Sequence, residues 1–173
     1  MTAFLTYITI IGSLLSSFQL NAAECAFCNQ DKISKQKIYE TKYFTVLVDY
    51  APIQEGHLLI VAKRNIVHLQ DLNDDEAVDY NHIVKKVYSF FKEIIGTEDY
   101  IVLEKNGKSA GQTVPHLHIH MIPIKHSGSL MLGQLGVLYK IVFGAKALSQ
   151  EEVANKVRGY SSFFQADQKK QLR

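Results

Sequence analysis

The sequence predicts an α+β fold in which one long helix accompanies an antiparallel sheet. Candidate strands dominate the middle of the 173-residue chain, and short turn-like stretches join them in pairs. One long segment between them has the three- and four-residue periodicity of an amphipathic helix. No G-x-G-x-x-G follows a strand, so a dinucleotide-binding fold has no support. The length suits one domain with a hydrophobic core, which we expect over residues 24–173 with its centre in 25–125.

The first strands of the sheet are expected before the long helix. Residues 35–50, KQKIYETKYFTVLVDY, indicate two short strands with a turn near 40–42, because the second half is rich in β-branched and aromatic residues. APIQEGH follows as a loop that contains Pro52 and Gly56. HLLIVAK, residues 57–63, predicts the next strand.

The long helix has a recognisable signal at each end. Asn73 followed by Glu76 is typical of an N-cap with a capping box. Gly96 stands where a helix C-terminus is expected. Between these ends, apolar residues recur at three- and four-residue steps: Ala77, Tyr80, Val84, Val87, Phe91 and Ile94.

The last two strands are expected to form a hairpin. YIVLEKN, residues 100–106, predicts a strand, GKSAGQT a glycine-containing turn, and HLHIHMIP the strand that returns against it. After Pro123 the chain has the composition of a loop through KHSGSLMLGQLG. Ser149 with Glu152 then predicts a short C-terminal helix that ends at Arg158.

The first 23 residues differ from the rest of the chain. They carry no charge and contain an apolar run of about the length found in signal peptides, with Ala22-Ala23 suited to cleavage. Polar interruptions make the run short for a membrane span, so none is expected in the mature protein. We therefore expect an export signal and a periplasmic or secreted protein. An N-terminal packing extension or a misplaced start on a cytoplasmic protein is the alternative.

Charge and cysteine content narrow the function classes. The formal net charge is +2 at pH 7, which provides no electrostatic basis for binding a nucleic acid. The two cysteines, Cys25 and Cys28, form a C-x-x-C pair. Such a pair indicates half of a zinc site or a redox pair in a reducing compartment, and a local disulfide in an exported protein.

The candidate functional residues centre on GQTVPHLHIHMIP, residues 111–123. His116, His118 and His120 are two residues apart, and alternation along a strand places all three on one face. The first and last lie about 13 Å apart along an extended strand, too far for both to reach one metal at about 2 Å. A three-histidine zinc row is therefore disfavoured.

A nucleophilic role for the central histidine remains. A neutral imidazole is a good nucleophile near neutral pH when one nitrogen is free and the other is held by an acceptor, such as a backbone carbonyl. Donors must surround the developing negative charge. His120, Gln112, Thr113 and the turn amides around Gly111 are the neighbours that can provide them.

The chain resembles the histidine-triad (HIT) superfamily of nucleotide hydrolases and transferases. The resemblance rests on GQTVPHLHIHMIP, on VDYAPIQEGHLLIVAKRNI, on the asparagine and spacing in EKNGKSAGQTVPH, and on CAFC. It covers roughly residues 25–125 in the expected order and is greatest to the bacterial phosphoramidase-like branch with an N-terminal C-x-x-C. It implies about five antiparallel strands per subunit, a long helix packed on the sheet, and a homodimer.

The resemblance also implies a reaction. His118 would attack the α-phosphorus of a purine nucleoside 5′-phosphoryl compound, either a phosphoramidate or a dinucleoside polyphosphate. Water would then hydrolyse the nucleotidyl-histidine. His116 and His120 would complete the catalytic triad, and the nucleotide would be contacted by Asp49, His57, Asn106, Gln112 and Thr113.

Within this set the implied contacts differ. His120 and Gln112 would hold phosphoryl oxygens, and Asp49 the ribose hydroxyls, unless it is only a turn residue at a strand end. Asn106 would lie by the ribose-phosphate region or simply cap the hairpin turn. His82 and His126 have no supporting context and are expected on the surface.

The resemblance also implies a candidate cofactor, a structural zinc ion. Zinc-containing members use the two cysteines, the first histidine of the triad and one further histidine. That last position holds Asn65 in this chain, and the nearest imidazole is His68. If a helical turn starts there, residues three apart share a face, so the expected site is Cys25, Cys28, His68 and His116. A metal-free site or a Cys25–Cys28 disulfide is the alternative.

Two other functions stay open. One is a nucleotide-binding or scaffolding protein with little turnover, and the other is a hydrolase in which zinc activates water directly.

Overall fold

The computed structural model describes residues 25–125 and 130–171 of the chain. The predicted export signal, residues 1–23, lies outside these residues, and so does His126. His82 is exposed, as predicted. No helix in the described part of the chain combines the length and the apolar composition that crossing a bilayer requires.

Five strands form one antiparallel sheet. Their order across the sheet is first, second, third, fifth, fourth, so the histidine strand lies between the third and the fourth. Every neighbouring pair is antiparallel, and the predicted α+β fold with a five-stranded sheet is confirmed. The strands are β1 (Lys37–Glu40), β2 (Phe44–Val48), β3 (Leu58–Ala62), β4 (Tyr100–Leu103) and β5 (His118–Pro123).

Four α-helices accompany the sheet. They are α1 (Gln30–Gln36), α2 (Asp74–Phe90), α3 (Leu130–Phe143) and α4 (Gln150–Gln171). Single turns of 3₁₀-helix occur at Ala26–Cys28, Leu69–Asp71 and Lys108–Ala110, and a π-helical turn, Phe91–Ile95, continues α2.

The ends of α2 are those that the sequence predicts. The Glu76 N–H donates to Asn73 Oδ1 at 3.0 Å, and the Asn73 N–H donates to the Glu76 carboxylate at 2.9 Å, which completes the capping box. Gly96 follows the π-helical turn in the left-handed region, with φ +80°. Arg64 also donates to both carboxylate oxygens of Glu76, at 2.8 and 2.7 Å, and this pairing lowers the pKa of Glu76 to about 2.

The two faces of the sheet are covered by different elements. Helices α2 and α4 cover one face, where Phe44, Ile60 and Ile119 belong to the main core. The opposite face carries a second cluster, in which Leu47 and Leu59 pack against Ile33 of α1. All residues of β2 and β3 are buried for this reason, and the functional site lies on the second face.

The structure corrects the prediction at both ends of the domain. Lys35 and Gln36 belong to α1 and not to a strand. Asn29 caps this helix by accepting the Lys32 N–H at 3.1 Å, and Ile33 is its buried contact.

The segment predicted as a loop after Pro123 ends at Gly136 and overlaps the first half of helix α3, which begins at Leu130 and continues to Phe143. Its glycines favour a loop, but Val137 is buried with Ile53 and Ile122, and this packing holds the helix in place.

The C-terminal helix begins with the predicted capping pair, Ser149 and Glu152, but it is not short. It continues past Arg158 to Gln171 because Tyr160 and Phe164 are buried against the core. The ring centroids of Phe164 and Phe90 lie 5.5 Å apart.

Candidate functional site

A cavity of about 640 Å³ lies on the sheet face opposite α2 and α4. Its walls come from α1 and the turn before it, from the loop after β2, and from α3. Five of the predicted site residues line it: Asp49, His57, Thr113, His118 and His120. A cavity of this volume is large enough for a small-molecule ligand.

Strand register brings two of the histidines into this cavity. His118 pairs with Val61 and His120 with Leu59 of β3, and residues two apart on β5 share a face. The apolar residue between them, Ile119, points into the main core on the other face. His116 lies just before β5 and does not line the cavity.

His118 has the hydrogen bonding that a nucleophilic imidazole requires. Its Nδ1–H donates to the backbone carbonyl of His116 at 2.7 Å, so the Nε2 lone pair is available to the cavity. Burial lowers the pKa of His118, although the hydrogen bond to the His116 carbonyl opposes this shift. The side chain therefore remains neutral near pH 7.

The tautomer of His120 follows from a chain of hydrogen bonds that starts in the backbone. The Ile53 N–H donates to His57 Nδ1 at 3.1 Å, and burial lowers the pKa of His57 to about 4, so neutral His57 carries its proton on Nε2. His57 Nε2 lies 3.0 Å from His120 Nδ1 and donates to it. His120 consequently carries its own proton on Nε2, where it is a donor for a bound anion.

Asp49 lies beside this histidine pair. Its Oδ1 accepts the Ala51 N–H at 2.8 Å, and its Oδ2 lies 3.4 Å from His57 Nε2 and 3.6 Å from His120 Nδ1. Burial raises the pKa of Asp49, but His120, His57 and the Ala51 N–H outweigh it, and the net direction is downward. The cavity thus contains one ionised carboxylate next to two imidazoles.

Gln112 does not reach the cavity. Its side-chain amide donates to the carbonyls of Val67 and His116, at 3.2 and 3.3 Å, and its oxygen accepts the Gly107 N–H at 3.0 Å. The His116 carbonyl is also the acceptor for His118. Gln112 therefore holds the loop that orients the central histidine, and its predicted contact with phosphate stays a prediction.

A family comparison agrees with this geometry. The model described as the HIT domain matches residues 30–127, which is more than half of the chain and includes the whole sheet and the three histidines. The chain belongs to the HIT domain family.

Two curated relatives and one solved structure illustrate what this HIT domain is similar to. The adenosine 5′-monophosphoramidase hnt1 of Schizosaccharomyces pombe is 38% identical over 101 residues, 57% of this chain and 73% of that protein. The bis(5′-adenosyl)-triphosphatase of Saccharomyces cerevisiae (strain YJM789) is 36% identical over 107 residues, 60% of this chain and only 52% of that protein. The crystal structure of Plasmodium falciparum diadenosine triphosphate hydrolase has a TM-score of 0.63 at 25% identity and covers 76% of this chain and 78% of its own.

The first histidine of the triad in this HIT domain lies beside the cysteine pair. His116 Nε2 donates to the Ala62 carbonyl at 2.6 Å, and its Nδ1 faces Cys25 Sγ at 3.5 Å and Cys28 Sγ at 3.7 Å. The three ligand atoms lie within 4.8 Å of one another and could hold a metal ion. Two thiolates and an imidazole are a donor set that zinc accepts, but the cysteines are paired here as a disulfide, which leaves His116 as the single ligand.

The fourth predicted ligand, His68, is not part of this group. The backbone of His68 is extended, so no helical turn places it on the same face as Asn65. Its Nδ1 lies 2.9 Å from Asn106 Oδ1 instead. In the described part of the chain a second group, formed by Asp49, His57 and His120, also has the spacing of a metal site.

Asn106 also lies away from the cavity, whereas the preceding residue, Lys105, lines the cavity. The Asn106 side chain donates to Gln70 Oε1 at 2.8 Å and faces His68, which agrees with the alternative that it organises the hairpin loop. Lys105 lines the cavity together with Leu103. The alternation of side chains along a strand could have predicted this, because residues 103 and 105 point to the same face and residue 106 points to the other.

Other side chains that line the cavity had no recognisable signal in the sequence, and they include Phe27, Lys32 and Lys140. Phe27 lies between the two cysteines, and its ring centroid is 4.8 Å from that of His118. Lys140 lies on the second half of α3, for which no element was predicted from the sequence, and donates to the Ile53 carbonyl at 2.8 Å.

Proposed function

We propose that this protein hydrolyses a purine nucleoside 5′-phosphoryl compound through a covalent nucleotidyl-histidine intermediate on His118. The observation that carries the proposal is the state of His118: Nδ1 is held by the His116 carbonyl at 2.7 Å, the ring lines the cavity, and burial lowers its pKa. Membership of the HIT family and similarity to a phosphoramidase and a dinucleoside triphosphatase support the choice of substrate.

The first step is an attack on phosphorus. The Nε2 lone pair of His118 forms a bond to the α-phosphorus, and the bond from phosphorus to the leaving group breaks with its electron pair on that group. A polyphosphate oxygen leaves as the anion, whereas a leaving nitrogen takes up a proton from solvent water and departs as the amine. The imidazolium that results keeps its Nδ1–H on the His116 carbonyl, which stabilises the positive charge. His120 Nε2–H donates to a phosphoryl oxygen as negative charge develops there.

The second step returns the enzyme to its starting state. A water oxygen attacks the same phosphorus, the bond from phosphorus to His118 Nε2 breaks, and the nucleoside monophosphate leaves. The water proton passes to solvent or to a basic group of the site. Thr113, at the cavity edge, would contact the phosphate or the leaving group.

The nucleoside has two features of the cavity available to it. Asp49 would accept the ribose hydroxyls, since an ionised carboxylate can bind two at once. Phe27, together with the apolar cluster of Ile33, Leu47 and Leu59, provides a surface against which a purine can stack.

The proposal is tested with His118→Ala, using adenosine 5′-phosphoramidate and diadenosine triphosphate as substrates. The variant is expected to lose turnover and the covalent adduct while it keeps its affinity for AMP, and His82→Ala, at an exposed site, is the matched control. A wild-type protein that binds AMP but hydrolyses neither compound would establish the nucleotide-binding function instead. Activity that survives in His118→Ala and disappears with a chelator would identify a zinc-dependent hydrolase, with Asp49, His57 and His120 as the ligands.

A structural zinc on Cys25, Cys28 and His116 is part of the proposal for the reduced protein. Bound there, zinc would tie the N-terminal turn to the loop before β5 and leave His118 free. Mass spectrometry of the native protein distinguishes the states, since the intact mass reports zinc or a disulfide. The same spectrum identifies the N-terminus and therefore tests the proposed export.

A homodimer is also proposed. β4 is an edge strand, and its exposed residues include Tyr100 and Val102. Unpaired backbone groups and apolar side chains on an edge strand favour pairing with a second copy. Val102→Glu is expected to shift the mass measured by light scattering from that of a dimer to that of a monomer. Val78→Glu, on the exposed side of α2, is the control and is expected to leave the mass unchanged. A monomeric wild type would refute this part of the proposal.

A further inference from the structure

One lysine reaches the cavity from the strand that neighbours the histidine strand. In the register of β4 and β5, Leu103 lies opposite His120. β4 ends at Leu103, and if its antiparallel register with β5 is continued for two more residues, Lys105 comes opposite His118. Leu103 and Lys105 both line the cavity, as this placement requires. Side chains directly opposite one another on adjacent strands have Cβ atoms about 5 Å apart, which is within the reach of a lysine.

The ammonium of Lys105 has no partner among the residues that the structure describes. The side chain is half-buried, yet it makes no hydrogen bond or ion pair within residues 25–125 and 130–171. It lies over the turn that leads to Thr113: a Cβ atom added at Gly111 would be 3.7 Å from Lys105 Cδ and 3.9 Å from its Nζ. An ammonium without a protein partner at the cavity wall is available to pair with an anion bound in the cavity.

The other charges of the cavity leave an excess of positive charge. Lys32, Lys105 and Lys140 line it, and Asp49 is the single carboxylate among the lining residues. Asp49 already interacts with His57 and His120, and Lys140 donates to the Ile53 carbonyl. The cavity therefore suits a ligand with more negative charge than one phosphoryl group.

We propose that Lys105 determines substrate specificity by binding the leaving group, and that the substrate class is a dinucleoside polyphosphate in preference to a phosphoramidate. This inference rests on the proposed hydrolysis through His118. When His118 attacks a dinucleoside polyphosphate, the phosphorus–oxygen bond breaks and the electron pair stays on the bridging oxygen of the departing nucleoside polyphosphate. An ammonium beside that oxygen stabilises the new charge without any proton transfer.

A phosphoramidate makes a different demand. Its leaving nitrogen must take up a proton to depart as an amine, and the product is neutral or cationic. Once it is protonated, that nitrogen carries no negative charge for the Lys105 ammonium to stabilise. The Lys105 side chain therefore lowers the activation barrier for a polyphosphate leaving group and leaves the barrier for an amine leaving group nearly unchanged.

The test compares diadenosine triphosphate with adenosine 5′-phosphoramidate in wild type, Lys105→Gln and Lys105→Arg. We expect wild type to prefer diadenosine triphosphate in kcat/KM. Lys105→Gln is expected to lower kcat/KM for that substrate by on the order of 10- to 100-fold and to change the phosphoramidate value by less than about threefold. Lys105→Arg is expected to restore most of the difference, because it keeps the charge. Inhibition by ADP, the leaving group of diadenosine triphosphate, is expected to weaken in Lys105→Gln.

Lys108→Gln is the matched control, since Lys108 is an exposed lysine of the same loop that does not line the cavity. Equal losses on both substrates in Lys105→Gln would overturn the inference, because Lys105 would then act on the nucleotidyl part that they share. A wild type that prefers the phosphoramidate would overturn it as well. If wild type hydrolyses neither compound, the proposed hydrolysis itself fails, an outcome distinct from an unchanged substrate ratio in an active enzyme.

Discussion

Mild acid is expected to destabilise the protein through His57, a buried imidazole in the wall of the cavity. Burial lowers the pKa of His57 from 6.5 to about 4 in the folded protein. Between these two values the unfolded chain binds a proton that the folded chain does not bind, so the free energy of unfolding falls as the pH falls. The stabilising contribution of neutral His57 is complete above pH 6.5 and is lost progressively towards pH 4.

The size of the effect follows from the same two values. Their difference corresponds to about 3 kcal/mol when the imidazole is protonated in both states. About 2 kcal/mol of this is lost between pH 7.5 and pH 5. Glu76 has a folded pKa of about 2, so the stability that it contributes is lost only as the pH falls from its ordinary value near 4.5 towards 2, outside this window. The lowered pKa of His118 acts in the same direction as that of His57.

The measurement is urea unfolding at pH 7.5, 6.5, 5.5 and 5.0, with a chelator present, for wild type, His57→Asn and His82→Asn. Asparagine keeps an acceptor for the Ile53 N–H but does not titrate, so His57→Asn is expected to be less stable at pH 7.5 and to lose about 2 kcal/mol less than wild type on acidification. His82 is exposed, and its replacement is expected to leave the wild-type pH dependence unchanged. Parallel pH dependences for wild type and His57→Asn would refute the assignment of a neutral, buried His57.

Three substitutions test the packing and capping of the domain. Gly56→Ala is expected to destabilise the protein by about 1–3 kcal/mol, because Gly56 has φ +85° and the added Cβ would lie 2.7 Å from an Ile95 carbon. Gly96→Ala is the control and should cost less, since Gly96 has φ +80° but no atom within 4 Å of the added Cβ. Equal urea midpoints for the two variants would contradict this prediction. Phe164→Ala is expected to cost about 3–5 kcal/mol in urea unfolding, and a loss below about 1 kcal/mol would mean that α4 is not part of the core. Glu76→Ala removes the capping box and its salt bridge, with an expected loss of about 1–2 kcal/mol; an unchanged thermal midpoint would exclude a role for that cap.

Local rules were sufficient for the features that repeat along the chain. The alternation of HLHIH places His118 and His120 on one face because successive side chains of a strand point to opposite sides. The capping box at Asn73 and the left-handed Gly96 depend on backbone geometry within one or two turns, so the ends of the long helix were predicted correctly.

Elements held by distant contacts could not be predicted in the same way. β2 and β3 are buried on both faces, so their sequences are apolar except for Thr45 and do not reveal which face carries the site. Helix α3 resembles a loop in sequence because its glycines weaken helix propensity, and only the packing of Val137 against Ile53 and Ile122 explains it.

The sequence by itself determined the fold class, the family resemblance and which histidines share one face of a strand. Tertiary structure decided how its members are partnered: His116 lies beside the cysteines, His118 donates to a backbone carbonyl, and His120 accepts from His57, which is 63 residues away in the chain. It also decided that Lys105 and not Asn106 lines the cavity. The physical reason is that a side chain's direction follows from local geometry, whereas its hydrogen-bond partner and its desolvation depend on chain segments that only folding brings together.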